Sequence, residues 1–126
     1  MVLVDTSVWV SYLQGSNARL KKLLDEGKVV SHPFIIGEMS CANLKNRREI
    51  LSLLQTLPAA TTATHDEVLR FIEDHQQMGL GLGYVDIHLL AAARLTGVTL
   101  WTDDKCLKAA AVRLQIDFKS NYPVPI

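Results

Sequence analysis

The sequence predicts an α/β fold in which a parallel sheet is covered on both faces by helices, and three observations carry that expectation. Short apolar, β-favouring runs recur along the 126 residues; segments of helical character separate them; no internal repeat, low-complexity tract or long linker divides the chain. Strands that alternate with helices form parallel sheets, and strands buried on both faces read as near-continuous apolar runs. The length fits one domain, 1–126, able to bury most of its unfolded surface in a single core.

The first element is MVLVD, an apolar run that stops on Asp5, with Thr6 and Ser7 behind it. Trp9, Tyr12 and Leu13 follow as an apolar face suited to core packing. A second strand is expected within KVVSHP, residues 28–33, where Pro33 suits the first turn of a following helix. GVTLWT, residues 97–102, is introduced by a glycine and rich in β-branched residues, so it reads as a third. LPAATT, residues 57–62, is weaker because of its proline, and IDF, residues 116–118, is weaker for its length. Helices are expected over 17–26, 34–55 with a break, 64–78, 84–96 and 104–114. GLGLG, residues 79–83, follows a helix and matches neither GxGxxG nor a Walker loop, so it reads as a flexible approach to the helix at 84.

Thirteen basic and 13 acidic residues leave no formal net charge, which argues against a protein that coats nucleic acid. An enzyme acting on nucleic acid needs only a local basic rim. LKNRR, residues 44–48, is the densest basic cluster and Lys105 and Lys108 lie near a strand end. Arg47, Arg48 and Lys105 are therefore candidates for phosphate contact, against a solvated helix face as the simpler reading. Cys41 and Cys106 show no CxxC or Cys/His spacing and read as reduced, buried thiols. Histidines 32, 65, 75 and 88 include no pair four apart and read as surface or packing residues. No stretch approaches the roughly 18 to 20 apolar residues of a membrane span, and the N-terminus lacks the basic segment of a secretory signal, so a cytoplasmic protein is expected.

Ligands of open parallel sheets bind beyond the carboxyl ends of the strands, where Asp5, Asp103 and Asp104 fall. The other acids can be sorted by the residues three and four positions away, which share a helical face. Asp25 has Lys21, Lys22 and Lys28 beside it, Asp74 has Arg70 and Gln77, and Glu49 has Lys45, Asn46 and Ser52; these are surface acids. Glu38 instead has Phe34, Ile35, Cys41 and Ala42, and Asp86 has Leu82, Gly83, Leu89 and Leu90, so both are expected on buried faces. An unpaired buried carboxylate costs several kcal/mol, and neither has a basic residue at helical spacing. One solution is an ion pair with a cation from elsewhere in the fold. The other is convergence of Asp5, Glu38, Asp86 and Asp104. Two carboxylates about 4 Å apart repel by roughly 4 kcal/mol at an effective dielectric of 20, so such a cluster needs a cation, and all-oxygen ligation favours Mg²⁺ or Mn²⁺ over zinc.

VLVDTSVW, IIGEMSCANL and LGLGYVDIHLLAAARLTGVTLWTDDKCL, in this order and over nearly the whole chain, resemble the PIN-domain ribonucleases, and among them the VapC-type toxins of bacterial toxin–antitoxin pairs. The resemblance implies a three-layer α/β/α sandwich and a Mg²⁺- or Mn²⁺-dependent endoribonuclease site of Asp5, Glu38, Asp86 and Asp104, hydrolysing RNA phosphodiester bonds with water. Thr6 and Thr102 match supporting hydroxyl positions. Asp103 adds a fifth acid, although the Thr-x-Asp register favours Asp104, and Leu107 replaces a frequent aromatic residue as a packing change. A cognate antitoxin, a homodimer and an RNA substrate, with transfer RNA a common one, are further implications. Two other readings compete: a non-catalytic binding module on the same fold, and an Asp5-based phosphotransfer or phosphatase domain, which would want a second acid where Ser7 stands.

Overall fold

The computed structural model describes residues 1–15 and 17–119. The described elements are β1 (Val2–Val4), α1 (Thr6–Leu13), α2 (Ala18–Asp25), β2 (Val29–Val30), α3 (Pro33–Cys41), α4 (Arg47–Thr56), α5 (His65–Asp74), α6 (Tyr84–Thr96), β3 (Thr99–Trp101) and α7 (Lys105–Arg113). The sheet runs β2-β1-β3 and both pairings are parallel, with Leu3 opposite Val30 on one side and Leu100 on the other. The two weak strand candidates extend this order by one parallel bridge each, Ala59 beside Ser31 and Asp117 beside Leu100. Their backbones are held from both directions: Ser31 N–H donates to Pro58 O at 2.8 Å and Ala60 N–H to Ser31 O at 2.7 Å, while Leu100 N–H donates to Ile116 O at 2.7 Å and Phe118 N–H to Leu100 O at 3.0 Å.

This order determines where a site can form. The chain leaves β1 through α1 and α2 towards β2, and leaves β3 through α7 in the opposite direction towards residue 117. Right-handed crossovers place connections that run in opposite directions on opposite faces, which yields the three-layer α/β/α arrangement. Between β1 and β3 the two connections diverge, and the carboxyl ends of such strands are where ligands of open parallel sheets bind.

The core is built where the apolar runs predict it. Val2, Leu3 and Val4 of the central strand are all buried, as are Val29, Val30, Leu100 and Trp101. Helix α6 buries seven successive residues, Ile87 to Ala93, because it packs on β3 along one side and α5 along another. Small side chains at 91, 92 and 93 permit that approach. Gly97, in the left-handed conformation at φ 74°, ends α6 so that β3 can begin two residues later.

The segment TSVWVSYL, for which the sequence suggested no element, forms α1; Trp9 is buried while Tyr12 and Leu13 are half-buried. Cys41 and Cys106 are exposed rather than buried, one at the last position of α3 and the other in the first turn of α7. Helix ends turn toward solvent, and single apolar-looking positions there are not packing positions.

His32 is a buried structural residue. It is fully inaccessible and caps α3, its Nδ1 accepting the Phe34 N–H at 3.0 Å. That bond requires the neutral ring protonated on Nε2, which has no partner among the described residues. Burial, and then the nearby His88, push the imidazole down from 6.5 to about 4. Because the folded value lies below the unfolded one, the neutral ring's contribution is complete above pH 6.5 and disappears as pH falls towards 4, on the order of 3 kcal/mol in all. His32→Asn keeps an oxygen acceptor for the cap and removes the titration. Urea unfolding from pH 7.5 to 4 is expected to show a shallower loss of stability in this variant than in the wild type; parallel curves would refute the assignment.

Candidate active site

Asp5, Thr6 and Ser7 are consecutive, and each side chain does different work. Asp5 is the N-cap of α1 but makes no side-chain capping bond, and it is 8% exposed. Its Oδ2 is already engaged, accepting from Ser7 Oγ at 2.7 Å and from Thr102 Oγ1 at 2.8 Å. Each hydroxyl has one proton, spent on Asp5, so its lone pairs serve elsewhere: Ser7 Oγ accepts the Asp103 N–H and Thr102 Oγ1 accepts the Asp104 N–H, both at 3.0 Å. The Asp5 carboxylate is thereby tied through two hydroxyls to the loop that begins α7. The rung Asp5 N–H to Trp101 O, 2.9 Å, closes the β1–β3 ladder directly beneath.

The remaining acids are held by one oxygen each. Thr6 Oγ1 donates to Glu38 Oε1 at 2.8 Å. Asp86 Oδ2 accepts the Gly83 N–H at 2.9 Å at the start of α6, and Asp104 Oδ1 accepts the Leu107 N–H at 2.9 Å as the N-cap of α7. Gly79 and Gly81, with φ of 71° and 74°, turn the backbone that approaches Gly83. The second oxygen of each of the four acids accepts no hydrogen bond among the described residues.

The sequence expectation for Glu38 needs correction: it is exposed, not on a buried face. Its neighbours explain the error, since Cys41 is itself exposed and Phe34 half-buried, so this flank of α3 opens to solvent. Asp86 is half-buried. Burial pushes its carboxyl above the ordinary range, the Gly83 N–H works against that, and the negative charges of Asp104 and then Asp5 raise it further. Asp86 therefore feels the charges of Asp104 and Asp5. The ion pairs of the described residues, Lys21–Asp25 and Lys28–Glu26, lie on α2 and at the amino end of β2, so the internal salt bridge is not the arrangement found. Asp103 is exposed, with its backbone rather than its carboxylate tied into the network.

This donor set fits a hard divalent cation: like charges brought together without a described basic partner, each with an oxygen to offer. Among the described residues no three acid, histidine or cysteine side chains stand as a ready metal cluster.

The basic candidates do not converge on the acids as a group. Arg47 donates from Nε and Nη2 to the Ser40 carbonyl at 3.1 and 3.0 Å, capping the last turn of α3, while Arg48 and Lys105 are exposed. Thr6 Oγ1 bonds to Glu38 and Thr102 Oγ1 to Asp5. Ser7 is the residue the sequence reading missed, weighed there only as the absence of an acid. Its signal was its position two residues past Asp5, which on the first turn of a helix brings its hydroxyl back to that carboxylate.

The family model for the PIN domain matches residues 2–113. The chain belongs to the PIN-domain family. Ribonuclease VapC32 of Mycobacterium tuberculosis, from strains CDC 1551 / Oshkosh and ATCC 25618 / H37Rv, is 45% identical over 111 residues, covering 87% of this chain and 90% of that protein. This places the PIN domain with the VapC type. Among solved structures it is similar to PAE2754 from Pyrobaculum aerophilum, with TM-score 0.59, 18% identity and coverage of 90% of this chain and 88% of that one. It is also similar to FitAcB from Neisseria gonorrhoeae, with TM-score 0.61, 18% identity and coverage of 89% and 94%. At that identity the likeness speaks for the fold alone.

The network around Asp5 in this PIN domain has an energetic consequence. Thr102 is 4% exposed and bridges a carboxylate to an amide. Thr102→Val leaves the Asp104 amide without its acceptor and Asp5 with Ser7 as its remaining described hydroxyl donor, and is expected to lower the unfolding free energy by about 1 to 3 kcal/mol, while Thr102→Ser retains most of it. Equal denaturant midpoints for Val and wild type would show that the bridge carries no stability.

Proposed function

We propose that the chain is a single PIN domain acting as a divalent-metal-dependent endoribonuclease, the toxin of a type II toxin–antitoxin pair. The observation that carries this reading is the Thr102 hydroxyl that joins the Asp5 carboxylate to the amide of Asp104 at the carboxyl ends of β1 and β3, in a chain of the VapC type. Glu38, exposed and held by Thr6, the residue next to Asp5, is the fourth acid of the reading.

Asp5, Asp86 and Asp104, with Glu38, would hold Mg²⁺ or Mn²⁺. Such an ion, when bound, lowers the pKa of water and offsets charge developing on the scissile phosphate. The chain's own residues orient the site. Thr102 and Ser7 fix Asp5 so that one carboxylate oxygen points away from the backbone network, and the Gly83 and Leu107 N–H groups do the same for Asp86 and Asp104. Exposure of Glu38 leaves the site accessible to a substrate as large as RNA. With water as the nucleophile the 2′-OH is not consumed, so the expected products carry 5′-phosphate and 3′-hydroxyl ends and the preference for RNA rests on binding contacts. A cognate antitoxin as partner and a homodimer as assembly follow from the VapC-type resemblance.

Purified protein incubated with a cellular RNA pool is expected to yield discrete fragments with Mg²⁺ or Mn²⁺, none with EDTA, and none from Asp5→Asn. Cyclic-phosphate ends, or cleavage indifferent to EDTA, would overturn the mechanism. Metal binding has its own readout, independent of activity. Mg²⁺ or Mn²⁺ at saturating concentration is expected to raise the unfolding temperature of the wild type and to raise that of Asp5→Asn much less, because binding to the folded state alone stabilises it. A folded protein unmoved by either ion would favour a non-catalytic binding module.

A further inference from the structure

Helix α2 and the residues that follow it line a depression of about 430 Å³, formed by Ala18, Arg19, Lys22, Leu23, Glu26 and Lys28. Three of these side chains are cations and one is an acid, so the depression is locally basic on a chain whose formal net charge is zero. Its carboxylate is already engaged, with Lys28 Nζ 3.0 Å from Glu26 Oε2. That bond holds the Glu26 carboxyl below its ordinary range, and the charges of Lys22 and Arg19 act in the same direction, so all three cations are close enough to act on one group. Arg19 is half-buried, its guanidinium carbon 5.6 Å from the centroid of the Phe118 ring. A guanidinium packed by its face keeps the N–H groups of its edge for an anion, and their planar fork matches a phosphate.

Resting on the ribonuclease reading, we propose that this depression is a phosphate-binding site for the backbone of the substrate RNA, apart from the bond that is cut. Its place in the fold separates it from the acids. The Lys28 carbonyl accepts the Val2 N–H at 2.8 Å, at the amino end of β1, whereas Asp5 follows the carboxyl end of that strand, so about 10 Å of strand lies between the two levels. An RNA that reaches both must extend beyond the nucleotides at the acids. Charge explains why such a site is needed. The field of exposed charges fades within about 10 Å at 0.1 M salt, and a neutral chain offers a polyanion no general attraction, so affinity for phosphates has to come from cations grouped in one place. The candidates weighed from sequence do not supply that group, since Arg47 is committed to the Ser40 carbonyl. Arg19, Lys22 and Lys28 do.

The test measures RNA binding by fluorescence anisotropy on the cleavage-deficient Asp5→Asn protein, with an RNA that the pool assay shows to be cut and with a short oligonucleotide spanning only its cut site. Adding Arg19→Gln and Lys22→Gln together is expected to raise the Kd for the full RNA about ten-fold at 0.1 M salt, to reduce the slope of log Kd against log salt by about two, and to leave the short oligonucleotide unaffected. Lys22→Gln alone leaves the Arg19–Phe118 contact in place and should give about half of that slope change. Lys21→Gln, on the same helix but paired with Asp25 outside the depression, should change little. With Asp5 intact, the double substitution should raise KM for the full RNA while kcat and the cleavage positions stay as in the wild type. An active wild type whose Kd, KM and salt slope are matched by the double variant overturns this inference alone. Unchanged RNA binding beside lost binding of polyglutamate also overturns it, and assigns the depression to an acidic protein. A wild type that cleaves no RNA overturns the ribonuclease reading and this inference with it.

Discussion

The interaction on which the rest depends is the parallel pairing of β1 with β3. It is short, three residues on each side, yet it ends with Asp5 and Thr102 facing each other across the final rung. Because the strands are parallel, both chains emerge at the same edge, and their connections depart from it in opposite directions. A carboxylate placed there would ordinarily be solvated. Here Asp5 is nearly inaccessible, and its desolvation is offset by two hydroxyl donors instead of by a cation. The choice matters chemically, since a lysine or arginine in that place would satisfy the carboxylate and compete with any metal.

Hydroxyl bridging also explains how three distant parts of the chain arrive in register. Ser7 and Thr102 pass the constraint from Asp5 to the amides of Asp103 and Asp104, and Asp104 in turn caps α7. Asp86 is brought in separately, by the positive end of α6 and the Gly83 N–H. Stabilising fields at helix starts offset only part of the burial cost, and Asp86 remains the acid whose charge is least comfortable. An uncompensated charge of this kind lowers the stability of the protein at neutral pH and is relieved as pH falls, a cost that the proposed cation would offset.

Much of the fold was legible because its signals were local. Apolar runs located β1, β2 and β3, Gly97 marked the end of α6, and even LPAATT and IDF mark the two flanking bridges at Ala59 and Asp117. Acids at strand ends and at a helix start were visible for the same reason. What could not be read was tertiary. Helix α1 forms despite its β-branched content, because it must carry the chain away from β1 while burying Val8 and Trp9. Glu38 was misplaced because helical neighbours report the chemistry of a face and not whether another element covers it. The role of Ser7 depends on Thr102 and Asp103, some 95 residues away, and no spacing rule connects them.

These failures share a physical origin that bears on function. Glu38 is exposed for the same reason that Asp5 is dry: the site has a closed floor, made by the β1–β3 ladder and its hydroxyls, and an open flank, made by α3. Floor residues are over-determined, each held by two or more bonds. Flank residues are held by one, as Glu38 is by Thr6. A site with a rigid floor fixes charge where a phosphate must sit, and an open flank lets a polymer approach without threading an end, which suits cleavage within a chain better than trimming from its terminus.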